Sequence, residues 1–420
     1  MSDVGGFSAP LCVAALLIVA AALAETGEES EVTVTFSADR TEVIRQGESF
    51  IKRYEGNVVV RMNPEVWLTA DEATYSAPDR EARLLGHVTI VDSGRTLKAD
   101  RATYLFKEHP HAAGRPLVRL RGDVSLEDTS RGLTAASADY RPDADSVVAI
   151  GRVRGRQSGG WIMADTLLFD ARDRGMEAMG NVELVDSTQD IRVRTGWYTY
   201  SRKESLAVVA REPMLTKGQG DTAVVVVADS MRLDERTRRA VAWENVRIER
   251  GNLSAQCDSV LYDDRAQELS LFGAPRAVQR TESDTTATIS RLFGDRITLS
   301  LNGTSVRRIE VEGAARGIAS EVDSAGRPEG ERWIVGRQII FHIEDERVTQ
   351  VEVFGQARSR YVPPSSARKD EGINEASGDT IRINFRGTRM SSVRLRGGVQ
   401  GIFWPPADSA RDARSTSRGK

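Results

Sequence analysis

Cysteine and histidine are scarce in this chain, with two and four residues among 420. Cys12 lies in an apolar stretch near the N-terminus. If that stretch is removed, Cys257 stands alone and no internal disulfide can form. Cys257 alternates with Leu253 and Ala255, the setting of a small buried residue and not of a reactive thiol. His109-Pro110-His111 is the one close histidine pair. It has no cysteine beside it and no carboxylate pair of ligand type, so it makes a poor metal site.

Charge of one sign is missing too. Lys plus Arg numbers 58 against 61 for Asp plus Glu, and no long block of either occurs, which argues against a nucleic-acid surface. Beyond residue 24 no segment approaches the ~20 apolar residues of a membrane helix, and none sustains a 3.6 period. The glycines of Gly155–Gly160 and Gly218–Gly220 lack phosphate-loop spacing and a following helix, and read as turns. Asp263-Asp264 sits beside a turn, Arg121-Gly122-Asp123 coincides with a regular bend, and no Ser/His/Asp order stands out. The expectation is a protein that is not an enzyme and carries no cofactor or metal.

The first feature that is present is an apolar run from Leu11 to Leu23, closed by Ala22-Leu23-Ala24 before Glu25. It reads as a secretory signal peptide over residues 1–24. Asp3 and the lack of Lys or Arg before it leave an uncleaved anchor as the alternative.

The second feature is a repeat. Gly56-Asn57-Val58-Val59-Val60 is followed by Leu68-Thr69-Ala70-Asp71-Glu72-Ala73-Thr74-Tyr75. The same order returns in Gly86-His87-Val88-Thr89-Ile90 and Leu97-Lys98-Ala99-Asp100-Arg101-Ala102-Thr103-Tyr104, a step of about 30 residues. Glycine recurs at 122, 151, 180, 273, 313, 355 and 397, and degenerates at Glu212-Pro213 and Glu244-Asn245. The Asp landmark recurs at 165, 229, 258, 295 and 379, while Ala136, Gly196 and Arg337 keep its place.

Alternation within each half-unit is the strand signal, and Val, Thr, Ile and Tyr supply the propensity. Leu68 and Ala70 lie an odd number of residues from Ala73 and Tyr75, so the phase slips at Asp71. Both halves can face one core only across a bulge or a bend. Tight turns such as Ala77-Pro78-Asp79-Arg80 join antiparallel neighbours. The prediction is an all-β fold of about twenty strands, an elongated antiparallel β-jellyroll or β-taco: a bent-strand repeat array in two facing sheets. Regular units fill residues 25–275, longer loops interrupt 276–404, and 405–420 reads as a disordered tail.

G-x-V followed by L-x-A-D-x-A-x-Y, at this step and behind an export signal, resembles the OstA/LptA-like (organic-solvent-tolerance-like) family. Those are periplasmic lipopolysaccharide-transport bridge proteins of diderm bacteria. The likeness covers most of residues 50–404 and is best in 56–104 and 151–184, and this chain is an extended, multi-repeat version. It implies a bent sheet whose apolar interior shields the acyl chains of lipopolysaccharide or a related glycolipid. The groove would be lined in the first units by Val58, Val60, Leu68, Ala70, Ala73, Tyr75, Val88 and Ile90, then by Leu97, Ala99, Ala102 and Tyr104. Further on it would use Val124, Leu126, Ile162, Ala164, Leu167, Phe169, Val182 and Leu184. The same side chains suit a self-filled core equally well, and the repeated Asp reads as a bulge-stabilising residue that accepts backbone N–H bonds. The resemblance also implies edge-to-edge docking with β-jellyroll components at the inner and outer membranes, or end-to-end self-association. Two other classes stay open: a secreted β-solenoid that binds or cleaves polysaccharide, and a structural or adhesive surface protein.

Overall fold

A computed structural model describes residues 35–405, apart from short interior breaks of which the longest are 171–174 and 364–371. The export signal expected over 1–24 and nearly all of the tail expected over 405–420 lie outside the described residues. Within them the chain is all-β: 28 strands in one antiparallel sheet, each pairing mostly with its sequence neighbour, and no α-helix. The count exceeds about twenty because six bent strands are cut in two at their corners, as in Leu206–Ala210 with Met214–Lys217 and Glu268–Phe272 with Arg276–Glu282. No helix among the described residues is long and apolar enough to cross a membrane.

Two compact units divide the described chain. The first takes residues 35–217 with 232–235; the second takes 218–231 and 236–405.

Each corner is built the same way. Two successive residues take positive φ, as at Gly86 (74°) with His87 (45°) and Gly180 (71°) with Asn181 (46°). The register then shifts: Leu85 pairs with Arg101 but Val88 with Ala99, so Gly86-His87 oppose the single residue Asp100. The extra residue sits on the glycine strand in its pairing with both neighbours. The Asp strand carries the phase slip foreseen at Asp71 but no extra residue.

The Asp locks the corner by a route different from the expected one. A Cβ on Gly86 would lie 2.1 Å from Asp71 Oδ2, so the carboxylate occupies the space that the missing side chain leaves. Asp71 Oδ2 meets His87 Nδ1 at 2.8 Å, and Asn57, Asn181 and Asn245 donate the same bond to Asp39, Asp165 and Asp229 at 2.9, 2.8 and 2.8 Å. At cut corners the Asp donates its own N–H, as from Asp39 to the Gly56 carbonyl at 3.0 Å and from Asp379 to Gly397 at 2.8 Å. The carboxylate accepts side-chain N–H bonds there, while the backbone bond runs outward from the Asp itself. Where glycine is lost the conformation persists: Arg211 and Glu212 (68° and 58°) and Glu244 and Asn245 (64° and 54°) hold it with side chains attached. That costs about 1–2 kcal/mol per residue.

Candidate functional site: two apolar interiors

In the first unit, cross-strand pairs on the inner side of the corners form continuous rows. Beyond the corner on one arm run Val60, Leu68, Ile90, Leu97, Leu126, Leu133, Gly155, Ile162, Leu184 and Val193, each the Cα partner of the next. On the other arm run Ala73, Leu84, Ala102, Leu120, Ala138, Ala149, Leu167, Ala178 and Tyr198. Residues of both arms belong to one buried cluster, which requires the strands to fold lengthwise and bring the two inner faces together.

Of the twenty side chains that sequence reasoning assigned to a groove, eighteen are buried. Leu97, Leu167 and Leu184 are each 1% exposed, and Val58 and Val88 not at all. Tyr75 and Tyr104 are half-buried and meet Phe36, Tyr54 and Phe106 in an aromatic group, with Phe36 and Tyr54 stacked at 4.7 Å. Beside that group the space enclosed by Phe36, Val60, Leu68, Ala73, Ala82, Leu84, Tyr104 and Phe106 is about 10 Å³. That holds one water at most. At that place the interior is filled by its own side chains.

The second unit repeats the rows with different contents. Val260, Leu271, Ile297, Val311, Ile339, Val353 and Ile381 pair in succession along the corner and are buried. One step further out run Tyr262, Leu269, Leu299, Ile309, Phe341, Val351 and Ile383, and all except Val351 are half-buried. At the corresponding position in the first unit Tyr140, Val147, Phe169 and Met176 are buried, while Tyr75 and Tyr104 are half-buried.

The other arm explains the difference. Its row reads Val226, Ile248, Ala255, Ala277, Leu292, Gly317, Ile334, Ser359, Ala376 and Gly401. Alanine, glycine and serine stand where the first unit has mainly leucine and isoleucine. Nearer the corner the pairs Ala315–Gly336 and Ala357–Gly378 are again small. The small side chains on this arm accompany a half-buried apolar row on the other. A half-exposed apolar strip across seven neighbouring strands, roughly 4.8 Å apart, is about 30 Å long.

Polar groups lie at its margins. At one end of the strip the Tyr262 hydroxyl donates to Asp264 Oδ1 at 3.0 Å, Gln267 Nε2 donates to the Asp264 carbonyl at 2.7 Å, and Arg238 closes on Asp264 Oδ2. Burial and the Asp264 bond push the Tyr262 phenol up to about 12, so it remains a neutral donor. Cys257 lies inside the corner, buried and unpaired to another cysteine, and burial pushes its thiol up to about 11.

The histidines have local uses. His109 Nδ1 accepts the His111 N–H at 3.1 Å, which starts the short turn Pro110–Ala112. That turn buries Ala112 against Leu105 and Leu117. Glu352 takes His342 at 3.1 Å and Arg382 at 2.6 Å. Among the described residues no group of three His, Cys, Asp or Glu could hold a metal ion.

Sequence reasoning missed the half-open strip because it followed the best repeats, all of which lie in the first unit. The signal that finds it is the run of small residues at the positions of Leu68 and Leu97 in the later units. No protein-family model matches the chain, and no curated protein matches it.

Proposed function

We propose that this protein is a non-enzymatic lipid carrier of the OstA/LptA-like kind, which shields the acyl chains of lipopolysaccharide or a related glycolipid between inner and outer membranes. The observation that carries the reading is the strip Tyr262–Ile383, a long apolar row left half-uncovered by a facing wall of alanine and glycine. A core that served stability alone would fill that space with larger side chains, as the first unit does. Each acyl methylene moved from water to such a surface contributes about 0.8 kcal/mol, so a lipid is held without covalent chemistry.

In this reading the first unit is a self-packed scaffold, and the second unit carries the lipid. The protein is exported to the periplasm, and the energy for transport comes from a partner at the inner membrane. Terminal strands suit the docking role: Val43 and Phe50 near one end, and Ile402, Phe403 and Trp404 near the other, are exposed apolar residues on edge-proximal strands. Unpaired edges of this kind template strand addition.

Photo-crosslinking with lipopolysaccharide tests the reading. A photoreactive residue at Ile309 or Phe341 is expected to give an adduct, and one at Val88 or on the exposed face is not. Equal labelling at inner and outer positions, or none at any position, would refute it.

A further inference from the structure

The two arms of the second unit differ in the charge on their outer faces. On the arm that carries Ile309 and Phe341, outward charges are paired across the strands: Arg296 with Glu312, Arg308 with Glu310 at 2.8 Å and Arg382 with Glu352 at 2.6 Å. On the small-residue arm the outward side chains alternate with Ala315, Gly317 and Ile334. They form two rows across six strands, from Arg276–Glu282 to Ile373–Arg386. The row nearer the corner runs Arg276, Phe293, Arg316, Val335, Arg358 and Ser377, each the Cα partner of the next. Beside it, in the same succession, run Val278, Arg291, Ile318, Trp333, Arg360 and Glu375.

These two rows hold five arginines and a single carboxylate, and Arg360 takes that carboxylate, Glu375, at 3.3 Å. Arg276, Arg291, Arg316 and Arg358 have no ion-pair partner among the described residues. Arg276, Arg316 and Arg358 are exposed and stand two strands apart, about 10 Å. That is roughly one Debye length in physiological salt, so their potentials add. Between them lie Ile318, Trp333 and Val335, all half-buried. The opposite arm, with both signs interspersed, is what a merely solvated face of this sheet looks like.

A planar anionic surface with apolar material just beneath its charge suits such a face. Guanidinium groups bind phosphate oxygens bidentately, and tryptophan and aliphatic side chains settle at the headgroup boundary of a bilayer. Single-stranded nucleic acid asks instead for a series of free aromatic faces on which bases stack. Here Phe293 is already covered by Arg276, 5.5 Å from its centroid, and Ile318 and Val335 hold the places between.

We propose that this outer face docks the second unit on an anionic phospholipid membrane, with Arg276, Arg316 and Arg358 on headgroup phosphates and Ile318 and Trp333 at the headgroup boundary. The proposal concerns the outside of the sheet and stands whether or not the interior carries lipid.

The test is co-sedimentation of the full-length protein with vesicles. Binding is expected to phosphatidylglycerol mixed with phosphatidylcholine, not to phosphatidylcholine alone, and it should weaken as salt rises. Each basic residue near an anionic surface contributes roughly fivefold in affinity, so the triple variant Arg276→Gln, Arg316→Gln, Arg358→Gln should bind about a hundredfold more weakly. Those three side chains are exposed, so the unfolding midpoint should not move. The triple variant Arg296→Gln, Arg308→Gln, Arg382→Gln removes the same charge from the other arm and should bind within about threefold of the parent. Binding to neither vesicle, no loss in the first variant, or equal loss in both would overturn the proposal. Tighter binding of a single-stranded oligonucleotide than of the vesicles at one ionic strength would also overturn it and assign the face to nucleic acid. None of these results bears on lipid inside the sheet, which the lipopolysaccharide crosslinks read separately.

Discussion

Gly86→Ala measures how strongly a single corner holds the array. The added methyl meets two obstacles. The backbone at Gly86 has φ 74°, where a Cβ costs about 1–2 kcal/mol. The methyl would also fall 2.1 Å from Asp71 Oδ2 and 2.8 Å from its carboxyl carbon, so the carboxylate has to leave its seat and its bond to His87. Together these put the loss at roughly 2–3 kcal/mol, in the range of strain at a special backbone position. In an Asp71→Gly background the second obstacle is absent, and Gly86→Ala should cost only the backbone part. The two substitutions therefore couple by about 1 kcal/mol in a double-mutant cycle. Strands in a stacked array answer mainly to their neighbours, so the loss is local. Hydrogen exchange of the amides in Glu81–Asp92 and Arg95–Leu105 reads it directly, with urea unfolding as the global check. A cost below 0.5 kcal/mol, or the same cost with and without Asp71, would refute the interlocked corner.

Other consequences can be measured separately. Glu244→Gly should stabilise the second unit by about 1 kcal/mol, because it relieves a side chain held at φ 64°, and denaturant unfolding will show whether it does. The hydrogen bond that His87 donates to Asp71, and then the carboxylate's charge, raise the His87 pKa above the usual 6.5. A raised folded-state value means the protonated pair's contribution is fully present below 6.5 and is lost as pH rises through the folded-state value. His87→Asn, which copies the neighbouring corners, should keep the fold and abolish that dependence in exchange experiments run across the window. Cys257 should resist alkylation at pH 8 in the folded protein and react readily in denaturant, since its thiol titrates near 11. Leu97→Ala should cost about 3 kcal/mol as a cavity in a filled interior. Leu299→Ala, on the half-covered strip, should cost about 1 kcal/mol in thermal unfolding.

The bent antiparallel array was legible from spacing alone. Alternation in Val58–Val60 and Leu68–Ala70 gave strands, and the change of parity between Ala70 and Ala73 required a corner at Asp71. What the spacing could not tell was which strand holds the extra residue. Asp71 and Gly86 are each compatible with a bulge, and only the register of three consecutive strands places the extra residue at Gly86-His87. The role of Asp was half legible for a similar reason. Its partner is not the backbone nearby but the second residue of the positive-φ pair on the following strand, Asn57, His87, Asn181 or Asn245. Three of those four are asparagine, and what His87 shares with them is the ability to donate a hydrogen bond.

For the site, sequence reasoning and structure diverge in an instructive way. Repeats are most regular where every unit must satisfy the same packing constraint, and a filled core imposes that constraint most strictly. Leu68, Leu97, Leu126, Leu133, Ile162 and Leu184 are alike because each is a Cα partner, or one strand removed from a partner, of the next in one buried row. In the second unit the same row mixes Ala255, Ala277, Gly317, Ser359 and Ala376 with Ile248, Leu292 and Ile334, so its members need not resemble one another or the leucines. Loss of sequence regularity there is what relief from self-packing looks like. In this array the most conspicuous repeats thus mark the part whose inner row is buried leucine and isoleucine, and the pattern frays where that row turns small while the corners persist. The corners do persist: Gly273, Gly313, Gly355 and Gly397 keep positive φ between 68° and 79° through the second unit, on the same frame as in the first.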